Sequence, residues 1–189
     1  MNPFTVFGLT PRPWLDPELL RGRHHELSRM YHPDVKSTGN LDMWEQVGLS
    51  HALLADEVAR LKWLLQDAGI SDPDAVRNIP ESIAACFVRV GDGVRRAVEM
   101  LKRAEESDSQ LERALLQNEI METTVELQSC ASVVGGMLKQ SSEQLKALDT
   151  HWDLFQNVEG LLEVYRSLVY LKRWERQIDE AQFRLMGLG

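Results

Sequence analysis

The sequence predicts an all-α protein, and three patterns predict it. All seven prolines of the 189-residue chain lie at or before residue 80. Proline breaks helix interiors, so the proline-free remainder is free to run as long helices. Apolar residues in that remainder recur at helical spacing. No segment shows the apolar–polar alternation of a half-buried strand, and no internal repeat is present.

The elements follow in order. A short helix is expected near Phe4–Gly8. The run Asp16-Pro17-Glu18 reads as a helix start, with Asp as N-cap, Pro at the first helical position and Glu in the first turn. From there Leu20, His24, Leu27 and Tyr31 define one face, with Arg21, His25, Ser28 and Arg29 beside it. Pro33 ends this helix, because it lacks an amide donor and disfavours the α region for His32. A loop over His32–Asn40 leads to a helix at about Leu41–Leu54. A break at Ala55-Asp56 then starts a short helix through Leu65. The segment from Gly69-Ile-Ser-Asp-Pro-Asp74 to Pro80 reads as a domain boundary.

Beyond Pro80 three long amphipathic helices are expected. The first runs from Glu81 to about Glu106 and ends in Ser107-Asp-Ser109. The second carries Leu111, Leu115, Leu127, Val134, Met137, Leu138, Leu145 and Leu148, with Gly135-Gly136 marking a kink or a point of close packing. The third runs from about His151 to Met186 and aligns Leu154, Val158, Leu161, Tyr165, Leu168, Leu171 and Ile178. Three such helices with short connections argue an antiparallel bundle.

Composition narrows the function. A net charge of −8 argues against nucleic acid, which needs a concentrated cationic face. The N-terminus lacks the regions of a signal peptide, and no apolar run is long enough to cross a bilayer. Cys86 and Cys130 are far apart and form no CxxC pair, so two buried thiols in a reducing compartment are expected, which fits the cytoplasm. Arg21, Arg23 and Arg29 oppose Glu26 alone between Leu19 and Pro33, a small positive island suited to an acidic protein partner.

His32-Pro33-Asp34, at the exit of a helix with a mixed apolar and basic surface, resembles the signature of a J-domain. That module triggers ATP hydrolysis in a DnaK-type heat-shock chaperone. Phe4-Thr-Val-Phe7-Gly8-Leu9, then Leu15-Asp16, Leu20, Arg23, Leu27, Arg29 and Tyr31-His-Pro-Asp34 are similar to the opening of the HscB family, J-domain proteins of iron–sulfur cluster assembly. Leu53-Leu54-Ala-Asp56-Glu-Val58-Ala-Arg60-Leu-Lys-Trp63-Leu64-Leu65 followed by Gly69 continues the likeness, which covers roughly the first 70 residues. Further on, Tyr165-Arg-Ser-Leu168-Val-Tyr170-Leu171-Lys-Arg-Trp174 with Ile178 looks like that family's last helix. Where the family has a Phe-Leu-Met, Glu-rich pattern, this chain has Ile83-Ala-Ala-Cys86-Phe87-Val-Arg-Val.

The resemblance implies a J-domain over 1–72, a linker over 73–80 and a three-helix client-binding domain over 81–189. It implies that His32, Pro33 and Asp34 engage the chaperone, with Arg21, His25, Arg29 and Lys36 as supporting contacts. Tyr170 falls at an aromatic position of the family's scaffold-binding patch; packing within the bundle is the alternative. The client is then an IscU-type scaffold protein. His24 stands where J-domains usually have an aromatic residue and is expected at the core edge, while His25 stands at a usually basic position. Phe87 and Trp174 are expected in the core.

His32 and Asp34 are also raw material for acid–base chemistry. A nucleophile, a glycine-rich phosphate loop and a second carboxylate constellation are missing, so no enzyme activity is expected. Adjacent His24 and His25 project in different directions, and no cysteine pair completes a ligand set, so neither metal nor cofactor is expected. Two isolated cysteines likewise do not supply a cluster ligand set. Two further readings stay open: a J-domain co-chaperone with a divergent client, and a non-stimulating J-like interaction scaffold.

Overall fold

The computed structural model describes residues 2–35, 40–75, 79–106, 110–152 and 156–187, with side chains of 110–115 left aside. Lys36, the Ser107–Ser109 turn and Leu154 lie outside the described residues, as do the side chains of Leu111 and Leu115. Seven helices make up the regular structure of the described residues, with no strand: α1 Pro3–Val6, α2 Pro17–Tyr31, α3 Leu41–Ala55, α4 Glu57–Asp67, α5 Glu81–Glu106, α6 Gln110–Thr150 and α7 Val158–Met186. No helix among them is long and apolar enough to cross a membrane.

Local chemistry fixes the boundaries. The Asn2 side chain accepts from the Phe4 and Thr5 amides and starts α1. Gly8, at φ +64°, sits in the left-handed region and stops it short of the expected length. Asp16, Asn40 and Asp56 cap α2, α3 and α4 by accepting amide hydrogen bonds from Glu18, Met43 and Ala59. At the other end of α4 the amides of Gly69 and Ile70 donate to the carbonyls of Gln66 and Leu65, with Gly69 at φ +95°. This is the Schellman closure that glycine makes cheap.

Two expectations about the long helices change. α7 begins at Val158 rather than His151, because Asn157 accepts from the Gly160 amide at 2.9 Å and caps the helix there. α6 continues through Gly135-Gly136 as one helix, and both glycines face open space, so they serve no close packing.

The residues gather into two compact units. One comprises Met1–Val76 with Ser142–Tyr165, the other Arg77–Ser141 with Arg166–Gly189. In the first, α1, α2 and α4 each pack against α3. Phe4, Leu20, Val47, Leu54, Leu61 and Leu65 are buried there. Each such side chain contributes about 1.5–3 kcal/mol of apolar transfer.

Polar anchors hold 142–165 to the same unit. Arg12 donates to both oxygens of the buried Asp149, at 2.9 Å from Nε and 2.7 Å from Nη2. The Trp14 amide donates to the same carboxylate, and Trp152 Nε1 donates to the Pro11 carbonyl. The Tyr165 hydroxyl donates to Asp74 at 2.6 Å. Arg60 is buried and satisfied by main chain, donating to the carbonyls of Pro13 and Leu54.

The second unit is built from α5, the N-terminal part of α6 and the C-terminal part of α7. Ile83, Cys86, Val90, Ala97, Met100 and Leu101 of α5 share one core with Leu127, Cys130 and Val134 of α6 and Leu171, Trp174 and Ile178 of α7. Both thiols are free and buried. Arg103 pairs with Glu119 and Arg96 with Glu126 along the α5–α6 edge, each at 2.6 Å. Trp174 is core as expected, but Phe87 is not: it is 47% exposed. The inward period of α5 runs through 83, 86, 90 and 97, and position 87 lies one step outside it.

Candidate functional site

The exit of α2 forms a fixed turn. The Val35 amide donates to the His32 carbonyl at 2.9 Å, which makes His32–Val35 a β-turn with Pro33 at its second position. Proline presets the dihedral that position needs, so the sequence stops the helix and shapes the turn with one residue. The Asn40 amide donates back to the Tyr31 carbonyl at 3.3 Å and closes the base of the loop.

Within the turn the two polar side chains face solvent. The His32 side chain is 47% exposed and that of Asp34 is 90% exposed. The Asp34 amide donates to His32 Nδ1 at 3.3 Å, which puts the proton of a neutral ring on Nε2. The Asp34 carboxylate lies 3.6 Å from the same Nδ1 and gains an ionic contact only in the imidazolium, where both ring nitrogens carry a proton. Nδ1 cannot accept and donate at once, so the turn holds either a neutral ring bonded to the Asp34 amide or an imidazolium paired with the Asp34 carboxylate. The Trp44 ring of α3 stands edge-on to His32, 6.2 Å between centroids and 78° between planes, and backs the ring.

Arg21, His25 and Arg29 fall every four residues on the exposed face of α2 and form a row that leads to His32. The row is less positive than the sequence implied. Arg21 pairs with Glu18 at 2.9 Å and Arg23 with Glu26 at 3.2 Å, while Arg29 has no ion partner among the described residues. Beside the turn, His24, Ser28, Trp44, Glu45, Gly48 and Leu49 line a largely apolar groove of about 540 Å³ between α2 and α3. His24 is half-buried there, and its ring lies flat against His51 at 3.9 Å.

In the second unit Tyr170 is half-buried at the core edge, 6.1 Å from Trp174 by ring centroids. Phe87 lies 6.1 Å from the other partner of that contact, so Phe87, Trp174 and Tyr170 make one aromatic cluster with an exposed outer member. Sequence reasoning missed Phe87 and Trp44. The signal for Phe87 was its offset from the α5 core period. For Trp44 it was the angular offset from Ser50 and Leu54, buried positions of α3.

No group of three or more His, Cys, Asp or Glu among the described residues is placed to hold a metal ion. No model of a known protein family matches the chain.

Proposed function

We propose that this chain is a J-domain co-chaperone of the HscB type, which binds an iron–sulfur scaffold protein and delivers it to a DnaK-type ATPase. The observation that carries the reading is the exposed His32-Pro33-Asp34 turn, held by its own hydrogen bonds at the end of the Arg21–His25–Arg29 row. A rigid turn loses little conformational entropy on docking, which favours a recognition role. The row attracts an acidic surface, and the turn then contacts the polar groups beside it. Hydrolysis takes place in the partner's nucleotide site; binding here biases a conformational equilibrium there. Lys36 adds a supporting cation by its position in the sequence. The reading places the protein in the cytoplasm, where buried, unpaired Cys86 and Cys130 stay reduced.

Client binding falls to the Tyr170–Trp174–Phe87 cluster, since tyrosine and phenylalanine at a packed rim offer large apolar area to a partner. A second reading keeps the J-domain and changes the client. It is favoured by α5, whose exposed apolar residues Phe87 and Val88 belong to the stretch that departs from the HscB pattern. Calorimetry of the full chain with an IscU-type scaffold separates the two. The first reading expects binding that Tyr170→Ala and Phe87→Ala each weaken by about 1–2 kcal/mol. No heat with a folded, concentrated scaffold selects the second.

A further inference from the structure

Two histidines occupy the crossing of α2 and α3. The rings of His24 and His51 are 14° from parallel at 3.9 Å, and Phe7 stacks on His51 at 6.3 Å and 24°. Neutral imidazoles in this arrangement attract as aromatic rings do. Two imidazolium rings at the same spacing repel, and neither is free to hydrate on its stacked face.

The surroundings offer little relief. From α2, His25 lies 6.2 Å from His24 by ring centroids. From α3, Glu45 shares the groove lining with His24. α1 carries no charged side chain. Burial pushes His24 below the ordinary histidine value of 6.5, and the positive charges of His51 and then His25 push it the same way.

We propose that the His24–His51 stack is a proton-sensitive latch between α2 and α3, closed when both rings are neutral and loosened by mild acid. An opened α2 exposes its histidine to water, where it binds a proton more readily than in the closed form. The latch therefore contributes fully above pH 6.5 and is lost as pH falls from 6.5 through the lower closed-state value. Because His32 caps α2, loosening the helix also frees the placement of the turn against Trp44, while the main-chain hydrogen bond of the turn stays. The latch does not depend on the chaperone reading, and a chain with no ATPase partner has it equally.

The test is NMR hydrogen exchange on the full chain between pH 7.5 and 5.5, with rates divided by the pH-dependent chemical rate, alongside titration of the histidine ring signals. Protection of the α2 amides should fall as pH drops below 6.5, by up to about tenfold per pH unit for one proton taken up on opening, and level off once the His24 ring signal has titrated. Protection in α5 should not follow. The double variant His24→Phe/His51→Phe, which keeps an aromatic pair without the charge, should show flat α2 protection over the same range. An equal decline in the double variant overturns the proposal. So does wild-type protection that stays constant from pH 6.5 down to the observed His24 midpoint, a result readable even if the variant does not fold.

Discussion

Replacing Asp149 by asparagine keeps the shape of the side chain and removes its charge, at a point where 137 residues of chain separate the two partners of an ion pair. The native side chain is 10% exposed, and its carboxylate accepts from Arg12 Nε and Nη2 and from the Trp14 amide. Breaking a fully buried pair costs about 3–5 kcal/mol. Arg12 keeps 35% of its side-chain exposure and can be rehydrated in part, so the lower value of about 2 kcal/mol is expected.

That loss converts to about thirtyfold in the opening equilibrium, since each 1.4 kcal/mol is tenfold. Hydrogen exchange should show it as a common fall in protection at residues 12–20 and 145–152, with residues 86–101 unaltered. A change confined to 145–152, or one below about threefold at 12–20, would refute the argument that Asp149 ties the α6 terminus to the first unit.

Other perturbations give separate readings. Asp74 is held below its ordinary value of 3.8 by hydrogen bonds from Lys62 and then Tyr165, so it stabilises above that value and the gain is lost as pH falls through the depressed one. Asp74→Asn should lower thermal stability at pH 7 and flatten its loss between pH 5 and 2 relative to wild type; parallel acid curves would count against the pairing. At a chaperone interface, Arg29→Glu should slow association more than Arg21→Glu, because Arg21 is already paired with Glu18. Stopped-flow rates should show both effects shrinking as salt rises, and equal, salt-independent rates would remove the row from the interface.

Local signals made most of the fold legible. Asp16-Pro17 at one end and Pro33 at the other bound α2 by chemistry within a few residues, and the structure places both boundaries there. From Val158 on, the α7 stripe reads equally well, because a 3.6-residue period survives without knowledge of partners. What the sequence hid is non-local. Asp149 and Tyr165 look like ordinary helix residues until Arg12 and Asp74 meet them across the fold.

The positive island is smaller than its arginines imply for a local reason: Glu18, in the first turn of α2, is the i,i+3 partner of Arg21. The sequence expectation places Phe87 in the core, whereas helical phase turns it outward. The His24–His51 stack required knowing that α2 crosses α3 at those two positions, which no spacing within either helix contains.

The central claim is that the His32-Pro33-Asp34 turn drives a partner ATPase. Single-turnover ATP hydrolysis by a DnaK-type chaperone, with the full wild-type chain and with His32→Gln, tests it most directly. The side chain is exposed and the turn is closed by main-chain atoms, so the variant should keep its helical content and unfolding temperature. Wild type should accelerate hydrolysis and His32→Gln should not. A folded variant that stimulates as well as wild type would contradict the account.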